Sequence, residues 1–363
     1  MNDMRNALQY IFLSLLALFV SCSDNGFEHD NGIVDENSKI YLRAATENNS
    51  VVVGRAPYEL ENPTTTNPLY ATVWASTVRY KYPNSHNIAG GVIADGSGTG
   101  GTVALHANAR FQSSNPQLLS AAIYNQENTI PVYFVAFHPQ AGWLTNAANN
   151  SAIFDFDGSQ DVMFASEVQG EYATDYDQSP QLLFKHLLTW IKLEVSAESE
   201  EVAIAWGKIK NITISSKCRV EIDLSKAFSI NNCVAFFDDT QLNFYAKDTD
   251  DDFPGTTPII LPHGALTEVA YVICSPVQAT AVDPIFGERT TEYVITVETE
   301  NRPKTVINVD LKDGVTSWLN ESTMGKQFTV ALKFKMGNAI TVATTIDDWK
   351  TAGIGDAVLN EKP

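Results

Sequence analysis

The sequence predicts an all-β protein built as two β-sandwich domains with few short helices. Three observations carry this expectation. Apolar and polar residues alternate with a period of two along much of the chain, turn residues interrupt the alternation at short intervals, and no long segment keeps a helical period. The first clean run is 69–77 (LYATVWAST), whose successive side chains point to opposite faces of a sheet. Further strands are read at 130–137, 182–195, 209–214, 269–274, 292–297 and 304–309. The last two runs, 327–335 (QFTVALKFK) and 340–346 (ITVATTI), are joined through Met336, Gly337 and Asn338. Gly-Asn between alternating runs marks a hairpin. The segment 115–122 (NPQLLSAA) predicts one short helical turn. The polar stretch 170–180 (GEYATDYDQSP) divides a first domain, 40–180, from a second, 181–363.

The N-terminus has a separate logic. An apolar run at 10–20 (YIFLSLLALFV) follows Arg5 and ends at Cys22. It is too short for a membrane-spanning helix, which needs ~20 residues, and has the length of a secretory signal. Small residues before a cysteine form the cleavage pattern of a bacterial lipoprotein. Residues 1–21 are then the signal, Cys22 the acylated N-terminus, and the polar stretch 22–39 a flexible tether to the membrane. The alternative is an ordinary signal peptide with an incidental cysteine.

Hydrophobic residues make up 44% of the 363, enough for packed cores. The 24 Lys and Arg against 43 Asp and Glu give a formal charge of −19. That excludes nucleic acid as a partner, because counterion release needs a basic surface. The remaining cysteines are Cys218, Cys233 and Cys274. Cys218 and Cys233 flank an expected strand pair, so they form either a disulfide or two separate buried thiols. Cys274 sits in an apolar run and reads as a core residue. No CxxC pair is present, so no zinc site is expected.

Other motifs have weak chemical content. Residues 96–101 (GSGTGG) match GxGxxG in form, but the next segment reads as a strand, whereas dinucleotide binding requires a helix there. Asp155, Asp157, Gly158 and Asp161, and the group 248–252 (DTDDD), lack the full calcium loop and its bidentate glutamate, and read as solvated acidic turns. The six histidines are scattered, and His186 reads as a core or edge residue. There is no GxSxG elbow, and no carboxylate pair stands out for glycoside hydrolysis. No cofactor, metal or catalytic residue is expected. The six tryptophans read first as core residues and second as a sugar platform.

Several segments together resemble the fimbrillins, the type V pilins of Bacteroidetes that include the Mfa-like group. These are Cys22 and its tether, a short apolar strand (40–42 and 51–53), and Gly54-Arg55-Ala56. Asp161 with the apolar residues after it, 182–188 (LLFKHLL), 325–330 (GKQFTV) and 346–349 (IDDW) complete the set. The resemblance implies transthyretin-like topology in both sandwiches and a surface-exposed lipoprotein of the outer membrane. It implies proteolytic processing after Arg55, before Ala56, with Arg43 before Ala44 as the second candidate. It also implies that the strand at 40–55 is removable and that assembly proceeds by strand exchange. The donor is then a strand near 338–350, with Ile340, Val342, Thr344 and Ile346 on one face. The implied partners are other fimbrial subunits and a host protein or glycan receptor. The competing reading is a non-polymerising surface lipoprotein that binds glycans.

Overall fold

A computed structural model of the chain describes residues 39–46, 68–82, 91–92, 104–111, 117–123, 131–146, 149–171, 179–247, 253, 258–277, 292–310 and 323–348. In chain order the strands are β1 (Lys39–Thr46), β2 (Leu69–Ser76), β3 (Gly91–Val92), β4 (Ala104–Phe111), β5 (Gln117–Ile123), β6 (Val132–His138) and β7 (Leu144–Asn146). They continue with β8 (Ser151–Asp155), β9 (Met163–Gly170), β10 (Gln181–His186), β11 (Thr189–Ala197), β12 (Ile209–Asp223) and β13 (Val234–Asn243). Last come β14 (Tyr245–Ala246), β15 (Thr267–Cys274), β16 (Glu292–Thr299), β17 (Thr305–Asp310), β18 (Lys326–Phe334) and β19 (Ile340–Asp348). The protein is all-β; among the described residues the helical elements are a short helix at Glu200–Trp206, one turn at Ile230–Cys233 and a 3-10 turn at Met336–Asn338.

The first lobe is one sheet in the order β3-β5-β1-β10-β9-β6-β2-β4. Strand β4 comes alongside β5, so the sheet curls around its own apolar face. Leu69, Ala71, Val73 and Ala75 supply that face from β2, and Phe134, Met163, Leu182 and Phe184 from β6, β9 and β10. The alternation read in the sequence is this face. In the second lobe a sheet of order β14-β15-β11-β18-β19 faces one of order β17-β16-β12-β8-β7, with β13 added to β12. Ile191, Leu193 and Val195 of β11 and Phe328, Val330 and Leu332 of β18 meet Ile212, Ile214, Tyr293 and Ile295 in one core.

Several expectations are corrected. The described part of the segment expected to be helical is extended: residues 117–123 form β5 between β3 and β1. The run 182–195 is two strands, broken at Leu187 and Leu188, and β10 joins the first lobe while β11 joins the second. Strands β7 and β8, from before residue 180, lie in the second lobe beside β12. Sheet membership therefore crosses the expected boundary in both directions. The helix Glu200–Trp206, absent from the sequence reading, starts with Ser199 accepting from the Val202 amide and has Glu200 and Glu201 in its first turn. It stops at Gly207, whose φ of 74° suits glycine.

The lobes are joined by aromatic packing and a polar latch. Rings run from Trp74 to Phe137 to Trp143 to Phe154, with centroids 4.5, 4.6 and 5.0 Å apart. Glu167 on β9 accepts from Arg79 Nε at 2.8 Å, the Tyr80 amide at 3.1 Å and the Tyr82 hydroxyl at 2.8 Å. Asn150, just before β8, accepts from the Tyr82 amide and donates to the Tyr80 carbonyl.

The disulfide reading is also corrected. Cys218, Cys233 and Cys274 are free. Ile222 pairs with Val234 and Arg219 with Phe237, so Cys233 stands just beyond one end of the β12–β13 ladder and Cys218 in its interior. The four residues of β12 from Cys218 to Ile222, the partner of Val234, already span about 13 Å, well beyond the ~7 Å Cα limit for a bridge. Burial pushes the Cys274 thiol up to about 12. Its contribution to stability is therefore complete below the ordinary thiol range and is lost as pH rises towards about 12. Alkylation of the native chain at pH 8 will label the half-buried Cys218 first, and Cys233 and Cys274 only after denaturation. Equal labelling of the three without denaturant contradicts the burial pattern.

Candidate functional site

Strand β1 lies inside the first lobe, between β5 and β10. It runs antiparallel to β5, in register Lys39↔Ile123, Tyr41↔Leu118 and Leu42↔Gln117. From Arg43 onward it runs parallel to β10, in register Arg43↔Gln181 to Thr46↔Phe184. One short strand thus hydrogen-bonds to β5 with its first half and to β10 with its second, and is the link between them in the strand order. Its alternation is complete: Ile40, Leu42, Ala44 and Thr46 are buried, while Tyr41, Arg43 and Ala45 are half-buried. Ile40, Leu42 and Ala44 complete the core formed by Val73, Phe111, Phe134 and Phe184. Fully burying Ile40 and Leu42 is worth ~1.5–3 kcal/mol each. Without β1 the lobe would present an apolar slot and two unpaired strand edges.

Strand β19 is at the other extreme. Among the described residues it is the last strand of its sheet and pairs antiparallel with β18 alone, from Lys326↔Asp348 to Phe334↔Ile340. Ile340, Val342 and Thr344 are half-buried while Thr341, Ala343 and Thr345 are exposed, and Ile340 and Val342 pack on the second core. Ile346 pairs in register with Phe328. These four positions fall on one face by the two-residue period of the strand.

A third element joins the two. Asp161, before β9, accepts from or ion-pairs with His186, at the end of β10, with Oδ2 2.7 Å from Nδ1. The two side chains are 1% and 2% exposed. Asp161 Oδ1 is buried with no hydrogen-bond partner among the described residues. Gly325, at φ 66°, sits against this pair: a Cβ there would lie 3.4 Å from the His186 carbonyl oxygen, and its amide donates to the Leu188 carbonyl. Three sequence motifs far apart in the chain therefore meet at the turn from β10, the wall of the slot, into β11 and β18.

The acidic residues of 155–161 are engaged within the fold. Asp155 binds Arg219 in a two-pronged contact at 2.6 and 3.2 Å, and Asp157 accepts from the Ser159 amide and hydroxyl. Among the described residues no group of three or more His, Cys, Asp or Glu is placed to hold a metal ion, and no helix is long and apolar enough to cross a membrane. Trp74, Trp190 and Trp206 are buried and Trp143 is half-buried in the aromatic chain, so none of these four forms a sugar platform. Cys22, Arg55, Ala56, Trp318, Trp349 and the segments 96–101 and 248–252 lie outside the described residues. The second candidate cut, between Arg43 and Ala44, falls inside β1, a strand paired with β5 and β10.

A model of fimbrillin-like proteins matches residues 87–349, most of the chain. The chain belongs to the fimbrillin-like family. Membership places it among fimbrial-type proteins. No curated protein matches it. Similar solved structures include a cell adhesion protein from Bacteroides uniformis, with 14% identity over 87% of this chain and 99% of that one, at a TM-score of 0.48. A polysaccharide binding protein from Bacteroides thetaiotaomicron matches at 8% identity over 86% and 96%, with a TM-score of 0.43. The fimbrial anchor protein Mfa2 from Porphyromonas gingivalis matches at 9% identity over 86% and 97%, with a TM-score of 0.37.

Proposed function

We propose that this fimbrillin-like chain is a shaft, tip or accessory subunit of a cell-surface fimbria, held at the outer membrane through acylated Cys22 and assembled by strand exchange after cleavage at Arg55. The observation that carries the reading is the seat of β1: a short N-terminal strand that fills a mid-sheet slot and contributes three apolar side chains to the core. Once the cut after Arg55 separates β1, with its tether, from the rest of the chain and β1 is lost, a strand from a neighbouring copy takes its place, with backbone hydrogen bonds for affinity and alternate side chains for register.

The donor is β19. Its residues Ile340, Val342, Thr344 and Ile346 repeat the two-residue spacing of Ile40, Leu42, Ala44 and Thr46. Leaving home breaks pairing with a single neighbour and gives up half-buried contacts, whereas the slot offers two neighbours and positions that are 0–1% exposed at Ile40, Leu42 and Ala44. Apolar burial therefore favours transfer. The contact is head-to-tail and does not close, so repetition gives a filament without an external energy source. The partners are other fimbrial subunits, and the tip or surface of the filament meets a host protein or glycan receptor.

Treatment of the intact chain with an arginine-specific protease, followed by sizing and electron microscopy, tests this. The expected result is cleavage after Arg55 and a ladder of high-mass species, both absent from Arg55→Ala. If the cut chain stays monomeric, or Arg55→Ala assembles just as well, the reading fails.

A further inference from the structure

Arg43 stands where β1 changes partners. Tyr41 and Leu42 are in register with β5, and Arg43 opens the register with β10. Its amide donates to the Pro180 carbonyl at 2.9 Å, so its backbone is well held. Its side chain lies on the face opposite Leu42 and Ala44 and is half-buried. Its Nε is inside the protein and has no hydrogen-bond acceptor among the described residues. Arg302 Nε is likewise buried without an acceptor among the described residues, and its guanidinium lies over the Trp206 ring, but Arg79 and Arg219 are treated differently. Arg79 meets Glu167 at 2.8 Å, and Arg219 meets Asp155 at 2.6 Å and Asp238 at 2.7 Å. The residue opposite Arg43 in register is the uncharged Gln181.

A guanidinium cannot relieve this situation by losing its proton. A buried donor left unmade forfeits its hydration with nothing in return, and regains it when the segment moves into water. The penalty therefore acts on the seated strand alone. Ile40, Leu42 and Ala44 hold β1 in, and Arg43 biases it outward, from the opposite face and at the position where the strand passes from one neighbour to the other.

We propose that Arg43 is a built-in release element: a half-buried cation, whose Nε has no acceptor among the described residues, that loosens β1 in its slot so that the strand is exchangeable while its apolar face still seals the core. This rests on the reading that β1 leaves its slot. An Arg43→Met chain keeps the length and apolar stem of the side chain and removes the buried donor, so its β1 seats more tightly. An Arg43→Lys chain, whose compact charge sits at the end of a flexible stem and can reach water, falls between the two.

Hydrogen exchange of the full-length chain, followed by mass spectrometry on peptides spanning 39–46 and 132–138, measures this directly. In the native sequence the β1 amides are expected to exchange faster than those of β6. In Arg43→Met the β1 amides slow by roughly five- to tenfold, with Arg43→Lys intermediate and β6 unchanged. If β1 opens ahead of β6 but Arg43→Met leaves its rate unchanged or raises it, the release element is overturned and the exchangeable strand survives. If β1 and β6 exchange together in every variant, β1 has no separate opening, and both ideas fall.

Discussion

Replacing Leu42 with aspartate opens the slot without a protease. Leu42 is 1% exposed and lies in the core of the first lobe. A carboxylate there has no partner, so the seated strand loses both the leucine's burial and the tolerance of the core for what replaces it. The loss exceeds ~3 kcal/mol. Because β1 belongs to the sheet through two half-length pairings, the strand itself leaves before the lobe unfolds. Three changes are expected together: rapid proteolysis within 39–46, binding of a hydrophobic dye by the slot, and assembly of the uncut chain. The second lobe, whose core contains no β1 residue, keeps its own thermal transition. A single cooperative loss of both lobes with no dye-binding intermediate contradicts this division.

Replacing His186 with leucine is the second large perturbation, and it acts at the joint between slot wall and C-terminal hairpin. Asp161 then has a buried carboxylate with neither its Nδ1 contact at 2.7 Å nor any partner for Oδ1 among the described residues. Breaking such a pair from one side costs ~3–5 kcal/mol, whereas replacing both partners by apolar groups of similar volume is close to neutral. Asp161→Leu combined with His186→Leu therefore recovers most of the loss, and the double-mutant cycle returns a coupling of at least ~2 kcal/mol by denaturant unfolding. Additive losses contradict the pairing.

The parts of this architecture that were legible in the sequence are those whose physics is local. Strands β2, β18 and β19 were readable because each alternates against one buried face, and Gly337 and Asn338 announced the last hairpin. Strand β5 has no strand signature in the sequence because 115–122 mixes small and polar residues with a proline, and its extended form is imposed by β3 and β1 on either side. The break at Leu187 and Leu188 was invisible because both leucines are fully buried and continue the apolar run through the turn. The helix Glu200–Trp206 did carry a signal, in Ser199, Glu200, Glu201 and Gly207. The candidate site divided the same way. The short apolar segment at 40–42 could be found by pattern, but its seat between β5 and β10, the pairing of Asp161 with His186, and the lack of an acceptor for Arg43 Nε among the described residues come from long-range packing that periodicity does not encode.

Particle mass at matched concentrations, by light scattering on two uncut chains, tests strand transfer between copies most directly. One chain carries Leu42→Asp, and the other carries Leu42→Asp with Val342→Asp. Val342 is half-buried at home and tolerates a charge there, but its counterpart in the slot is fully buried. The first chain is expected to grow with concentration into high-mass species while the second remains monomeric. Growth of both to the same extent, or of neither, contradicts transfer of β19 into the place of β1.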